Sequence, residues 1–150
     1  MKVEDILKTK ATLSVKKKVL INLQLASAKA SSEMLSTLKP FDVSAQQFNV
    51  LRILRGQGKK PANLNTIQER MVNKMSNTTR LIDKLIDKKL VERCVCEENR
   101  RKIEVNITKQ GLQLLEKIDP EIKNLEENST NNLSEKELEQ LNTLLEKLRS

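Results

Sequence analysis

The chain has 150 residues, 37% of them hydrophobic, with a formal net charge of +8 and no histidine. That length holds one domain with a real buried core. Phe41 and Phe48, the two aromatic residues, are too few to stack a run of unpaired bases, and no apolar run reaches the length of a membrane span.

Residues 3–9 are expected to form a short helix, followed by a long one over 14–38. In the long helix Val15, Val19, Leu23, Ala26 and Ala30 recur at spacings of three and four, and Leu20 widens the face. Lys39-Pro40 ends it, because proline disfavours helix in the residue before it. Ser44 and Gln47 then form a capping box, with Val43 and Phe48 as its hydrophobic staple, and Phe48, Leu51 and Leu54 make a buried stripe. The helix stops at Arg55-Gly56-Gln57-Gly58. A connector over 59–63 leads to a short helix at about 65–72, with Ile67, Met71 and Val72 expected inward.

Asn73-Lys74-Met75 reads as a tight turn, with Ser76 as the N-cap of the next helix. There Leu81, Ile82, Leu85, Ile86 and Leu90 share one face, while Asp83, Lys84, Asp87 and Lys88 share the other. Two helices joined by a tight turn, the second polar at its start, have helix-turn-helix organisation. The period then changes to two. Ile103, Val105 and Ile107 alternate with polar residues, predicting a half-buried strand paired with roughly 91–96 across a turn at 97–101. Thr108 caps a further helix through Leu112, Leu115, Ile118, Ile122 and Leu125, with a bend expected near Pro120. Ser134 and Glu137 form a second capping box, stapled by Leu133 and Leu138 and followed by Leu141, Leu145 and Leu148.

The fold class is therefore mainly α with a small β-hairpin: a winged helix-turn-helix at 41–110, flanked by helical arms at 1–40 and 111–150. The amphipathic arms exceed what a compact unit needs. Apolar faces must be covered, so a homodimer is expected, with the arms as its interface.

Charge follows this division. Residues 1–40 carry 8 basic and 3 acidic side chains, residues 41–110 carry 15 and 8, and residues 111–150 carry 5 and 9. The positive excess lies before and across the winged helix, and the C-terminal arm is acidic. That asymmetry fits a polyanion-binding centre. The N-terminal Met1-Lys-Val-Glu-Asp is not expected to be a signal peptide, since acids interrupt it, so a cytoplasmic protein is expected.

At this point the chain resembles the MarR family of bacterial transcriptional regulators. The family's wing pattern, Asp-x-Arg, five residues, Leu-Thr, reads here Asn99-Arg100-Arg101, five residues, Ile107-Thr108. Its Ser-x-x-Thr-Arg-x-x-Asp pattern is present from Ser76 through Thr79 and Arg80 to Asp83, and Leu90-Val91-Glu92-Arg93 matches the entry into the wing. Two positions depart from the pattern. Asn99 stands where Asp is usual, and Lys89 stands where Gly usually closes the recognition helix. The resemblance implies a DNA-binding homodimer whose grip is released by an effector held between the arms and the winged helix. With few aromatics and no histidine, no ligand residues can be named from the sequence.

Residue chemistry and resemblance together assign double-stranded DNA to Lys74, Ser76, Asn77, Thr79, Arg80, Lys84, Arg100 and Arg101. Arg reads guanine and Asn reads adenine in the major groove. Hydroxyls, Lys74 and Lys84 suit phosphates. A wing arginine, Arg101 by preference, suits a narrow minor groove. Two copies imply a palindromic operator. Competing structural roles are a cap for Ser76, an ion pair of Arg80 with Asp83 or Asp87, and a phosphate or structural partner for Arg93.

Cys94 and Cys96, at i and i+2, project from one face of the wing strand. Packed small side chains are the favoured reading, and a redox-responsive wing is the other. A metal site is not expected, because two thiolates without histidine make half a site, and no cofactor is implied. The leading function is a sequence-specific transcriptional regulator, a homodimeric repressor released by a small-molecule or redox signal. The alternative is a winged-helix protein-interaction adaptor without specific DNA binding. An enzyme is disfavoured, since no nucleophile motif or phosphate loop is present.

Overall fold

The computed structural model describes all residues of the chain except Lys59, Cys96, Glu97 and Arg100. The elements run α1 (Val3–Ile6), α2 (Val15–Leu38), a 3₁₀ turn (Lys39–Phe41), α3 (Ala45–Gly56), β1 (Ala62–Asn63), α4 (Leu64–Arg70), α5 (Thr78–Asp87), β2 (Val91–Val95), β3 (Ile103–Ile107), α6 (Lys109–Thr130) and α7 (Glu135–Arg149).

Local chemistry sets most boundaries. Ser14 accepts from the Lys17 N–H to start α2, and the capping box of Ser44 and Gln47 starts α3 with both reciprocal bonds formed. Its staple, Val43 and Phe48, is buried, as are Leu51 and Leu54. Thr108 accepts from the Gly111 N–H to start α6, which passes through Pro120 as one helix. The box of Ser134 and Glu137 starts α7.

The sheet has three antiparallel strands in the order β1-β3-β2. The hairpin pairs Val91 with Ile107 and Val95 with Ile103, as the period-two pattern requires. The expected two strands become three because Ala62 and Asn63 pair with Val105 and Glu104. A two-residue strand is too short to announce itself by alternation. Along β3 only Val105 is fully buried, and Ile103, near the wing tip, is exposed.

One core runs through the winged helix. Phe48, Val50, Leu51 and Leu54 of α3, Ile67 of α4, Ile82 and Leu85 of α5, Val91, Val105, and Leu115 and Ile118 of α6 close it, together with Leu38. Met71 joins it but Val72 does not. Val72 is 86% exposed, because α4 ends at Arg70 and Met71 adopts extended backbone, turning the next side chain outward. The arms differ. No residue of α7 is buried, and Val15, Val19, Leu20 and Leu23 of α2 are exposed together with Leu141, Leu144 and Leu148.

Candidate nucleic-acid interface

α5 is built to be held by one face and free on the other. Ile82 and Leu85 are fully buried, with Leu81 and Ile86 packed beside them. Thr79, Arg80, Asp83, Lys84 and Asp87 point outward. The helix starts one residue later than expected. Asn77, not Ser76, is its N-cap, its side chain accepting from the Arg80 N–H at 3.1 Å. The Ser76 hydroxyl is instead buried without a hydrogen-bond partner. Ser and Asn are equally good caps, so sequence alone could not separate adjacent candidates.

The end of α5 is a Schellman closure. Lys89 takes the left-handed conformation at φ 60°, its N–H donating to Ile86 O at 2.8 Å while the Leu90 N–H donates to Leu85 O at 3.0 Å. Lys89 thus adopts the dihedral that glycine usually supplies. Leu90, buried beyond it, turns the chain into β2.

The wing stands beside α5. Arg93 of β2 donates to the Asp83 carboxylate on the outer side of the helix. Arg93 is therefore a structural partner, and Asp83 pairs with the wing rather than with Arg80. Among the described residues Arg80, Lys84 and Arg101 have no acidic partner, so their charge is available to an external anion. Asn99 shapes the approach to the strand: its side chain accepts from the Arg101 N–H at 3.1 Å and its carbonyl from the Lys102 N–H at 2.9 Å. Arg101 is exposed, while Arg100 lies outside the described residues. Lys74 is exposed on the turn before α5, its ammonium donating to the Glu69 carbonyl.

Arg101 and Lys102 also line a hollow of about 240 Å³ with Asn63 and Asn65. Sequence reasoning passed over Lys102, although the run Arg100-Arg101-Lys102 signalled it. Cys94 is half-buried on β2, with the Asn106 amide 3.6 Å from its sulfur. Cys96 lies outside the described residues. A second cavity, of about 280 Å³, opens between α2, α3 and the turn before α5, lined by Ser31, Met34, Phe48, Asn49, Arg52 and Asn73 among others. The Arg52 guanidinium sits 5.6 Å from the centre of the Phe48 ring, a cation–π distance.

A three-stranded sheet with a hairpin wing, a helix with a fixed inner face and a cationic outer one, and a turn between two helices define a winged helix-turn-helix protein. The MarR family model matches residues 43–103. The HTH-type transcriptional repressor IacR of Pseudomonas putida is 28% identical over 109 residues, 73% of this chain. The chain spans 64% of the length of that curated relative. A MarR transcription factor from Planctomyces limnophilus is 31% identical, with a TM-score of 0.70 over 91% of this chain and 98% of that one. A mutant MarR from E. coli, complexed with operator DNA, is 25% identical, with a TM-score of 0.80 over 92% and 99%. The chain belongs to the MarR family.

Proposed function

We propose that the protein is a sequence-specific, double-stranded DNA-binding transcriptional regulator acting as a homodimeric repressor. The observation that carries this reading is the joined pair of α5 and wing. Arg80 and Lys84 project from the free face of a helix that Asp83 and Arg93 fasten to the wing, and Arg101 extends the cationic surface. Arg80, with Thr79 and the amide nitrogen of Asn77, whose oxygen serves as the helix cap, reads base edges in the major groove. Lys74, Lys84 and Lys102 hold phosphates, and Arg101, beside Arg100, enters the minor groove. Ser76 shapes the turn rather than touching DNA, since its hydroxyl is covered and its N–H donates to Asn73 O at 3.2 Å.

The arms support the dimer. The exposed leucines and valines of α2 and α7 need a cover, and a second copy supplies it over 1–40 and 111–150 while 41–110 faces DNA. The cavity beside Arg52 and Phe48 touches α2, α3 and the turn before α5 at once. It is the place where a small-molecule effector of apolar, anionic character would reach the DNA-reading turn. Oxidation at Cys94 and Cys96 is the lesser signal; Cys94 is half-buried on the wing strand, with the Asn106 amide 3.6 Å from its sulfur. No side chain is assigned to catalysis, and a cytoplasmic setting follows from the role. The adaptor reading is set aside: Val72 and Met75 are apolar and exposed, but they flank Lys74 and form too small a patch to seat a protein.

Selection of duplexes from a random pool, followed by titration at several salt concentrations, tests the proposal. A palindromic preference is expected, with half-sites about one helical turn apart. The log–log salt slope is expected between about −5 and −9 for roughly 6–10 phosphate contacts. Binding without sequence preference, or a slope near zero, would refute it.

A further inference from the structure

We propose that Gln68 is the positioning residue for the DNA-reading end of α5, acting as a neutral clamp between Thr78 and the carbonyl of Lys74. This inference rests on the DNA-binding reading and concerns a side chain that would not touch DNA.

The turn from 71 to 77 contains neither Gly nor Pro, and apart from the Ser76 N–H donating to Asn73 O at 3.2 Å its own backbone does little to fix its path. Amide side chains hold it instead. The Val72 N–H donates to Asn49 Oδ1 at 2.8 Å, and the Met75 N–H donates to Asn73 Oδ1 at 3.0 Å. Gln68 spans the remainder. Its Nε2 donates to Lys74 O at 3.0 Å, and its Oε1 accepts from Thr78 Oγ1. One side chain in α4 thereby grips the middle of the turn and the first residue of the recognition helix.

Thr78 is buried and Gln68 is the acceptor of its hydroxyl proton. Loss of that acceptor strands a buried donor, a penalty most readily relieved by moving the helix start toward water. The same turn already holds one uncompensated hydroxyl, that of Ser76. Thr79 and Arg80 follow Thr78 directly, so any shift of the start moves both. Base readout tolerates little displacement, since its geometry must hold to about half an ångström, whereas phosphate contacts through long lysines adapt. A carboxamide supplies a donor and an acceptor on separate atoms without charge, at the end of a side chain long enough to reach both partners. Glutamate would keep the Thr78 bond, lose the Lys74 bond and place an anion near the DNA backbone.

The clamp therefore separates discrimination from affinity, and the test reads that separation. The full-length protein, Gln68→Met, Thr78→Val, Thr78→Ser and the Gln68→Met/Thr78→Val double variant are titrated against two probes. One is the duplex that the parent selects from a random pool, and the other is a random-sequence duplex of equal length. Folding is checked by circular dichroism well below the melting temperature. Gln68→Met and Thr78→Val are each expected to lower the preference for the selected duplex about tenfold, the cost of roughly one misread base pair. Binding to random duplex should change less than about twofold, because it draws on phosphates. The double variant should lose no more than either single one, and Thr78→Ser, which keeps the hydroxyl, should retain the preference.

A preference retained in Gln68→Met or Thr78→Val, additive losses, or equal losses on both probes would each overturn the clamp. A parent without preference for any duplex would overturn the functional reading, and the clamp's role in discrimination with it. A parent that discriminates while its variants do so equally well overturns the clamp alone.

Discussion

Arg93 in the wing is ion-paired to Asp83 on the outer side of α5, joining the two parts of the candidate interface through side chains that are themselves half exposed, at 49% and 52%. Exposed pairs contribute little to stability, so the pairing is a weak local link between wing and helix and not a main support of the fold. Asp83→Ala should lower the unfolding free energy by no more than about 1 kcal/mol. A double-mutant cycle with Arg93→Ala should give a coupling of about 0.5 kcal/mol that shrinks as salt is raised. Urea denaturation at two salt concentrations measures both quantities. A coupling above about 2 kcal/mol would show the pair to be a main support of the fold.

Lys89 occupies the left-handed position that ends α5, at φ 60°. A Cβ there costs free energy that glycine avoids, offset in part by the greater freedom of glycine in the unfolded chain. Lys89→Gly should therefore stabilise the protein by about 0.5–1 kcal/mol, read as a raised urea midpoint with an unchanged slope. A loss of stability would mean that the lysine side chain contributes more than its backbone strain removes.

Gly111 lies where α6 meets the end of α5. A Cβ added there would stand 2.3 Å from the carbonyl oxygen of Leu90 and 2.6 Å from Ile107 Cγ1. The carbonyl cannot retreat freely, because it accepts from the Thr108 N–H at 3.0 Å and the neighbouring Lys89 carbonyl accepts from Thr108 Oγ1 at 2.8 Å. Gly111→Ala should cost about 3 kcal/mol through overpacking, seen as a fall of several degrees in the melting temperature. A change under about 0.5 kcal/mol would mean that α6 shifts readily against the winged helix.

The sequence made the helices legible where one residue type does one job. The capping boxes at Ser44 and Ser134, the cap at Thr108 and the stripe of Phe48, Leu51 and Leu54 all stand as read. It misled where neighbours compete or where a partner is distant. Asn77 outbid Ser76 for the cap because either can serve. Val72 faces outward because α4 ends two residues earlier than its apolar pattern suggests. β1 exists only through β3, more than forty residues away. The cationic residues of the candidate interface were visible as charges, whereas the hydrogen bonds of Gln68 and Asn49 run across a turn and between helices, which periodicity does not encode.

Glu137 gives α7 a pH-dependent anchor. The Ser134 backbone N–H, 2.8 Å away, and then the Ser134 hydroxyl hold its carboxyl below the usual carboxylate range. The charged form is thus favoured in the folded state. Its contribution is fully present above the unfolded value of 4.5 and is lost as pH falls through the lower folded value. Amide protection in the first turn of α7 should decline on acidification below that point in the parent. Glu137→Gln, which keeps a neutral cap, should show less decline, as hydrogen exchange at matched intrinsic rates would reveal. Identical pH profiles would assign the acid response to other groups.

Arg80 and Lys84 lie one turn apart on the free face of α5, and the proposed interface gives them different work. Arg80, beside the N-cap, is placed to read a base edge with its planar fork. Lys84, a point charge further along, is placed for phosphate. Arg80→Ala should lose about 1–3 kcal/mol on the selected duplex and little on random duplex, flattening the sequence preference. Lys84→Ala should weaken both duplexes alike and reduce the salt slope by about one. Gel-shift titrations on the two duplexes at three salt concentrations separate these outcomes. Equal losses on both duplexes for both variants would mean that Arg80, like Lys84, holds only the backbone, and base reading would then fall to Asn77 and Thr79.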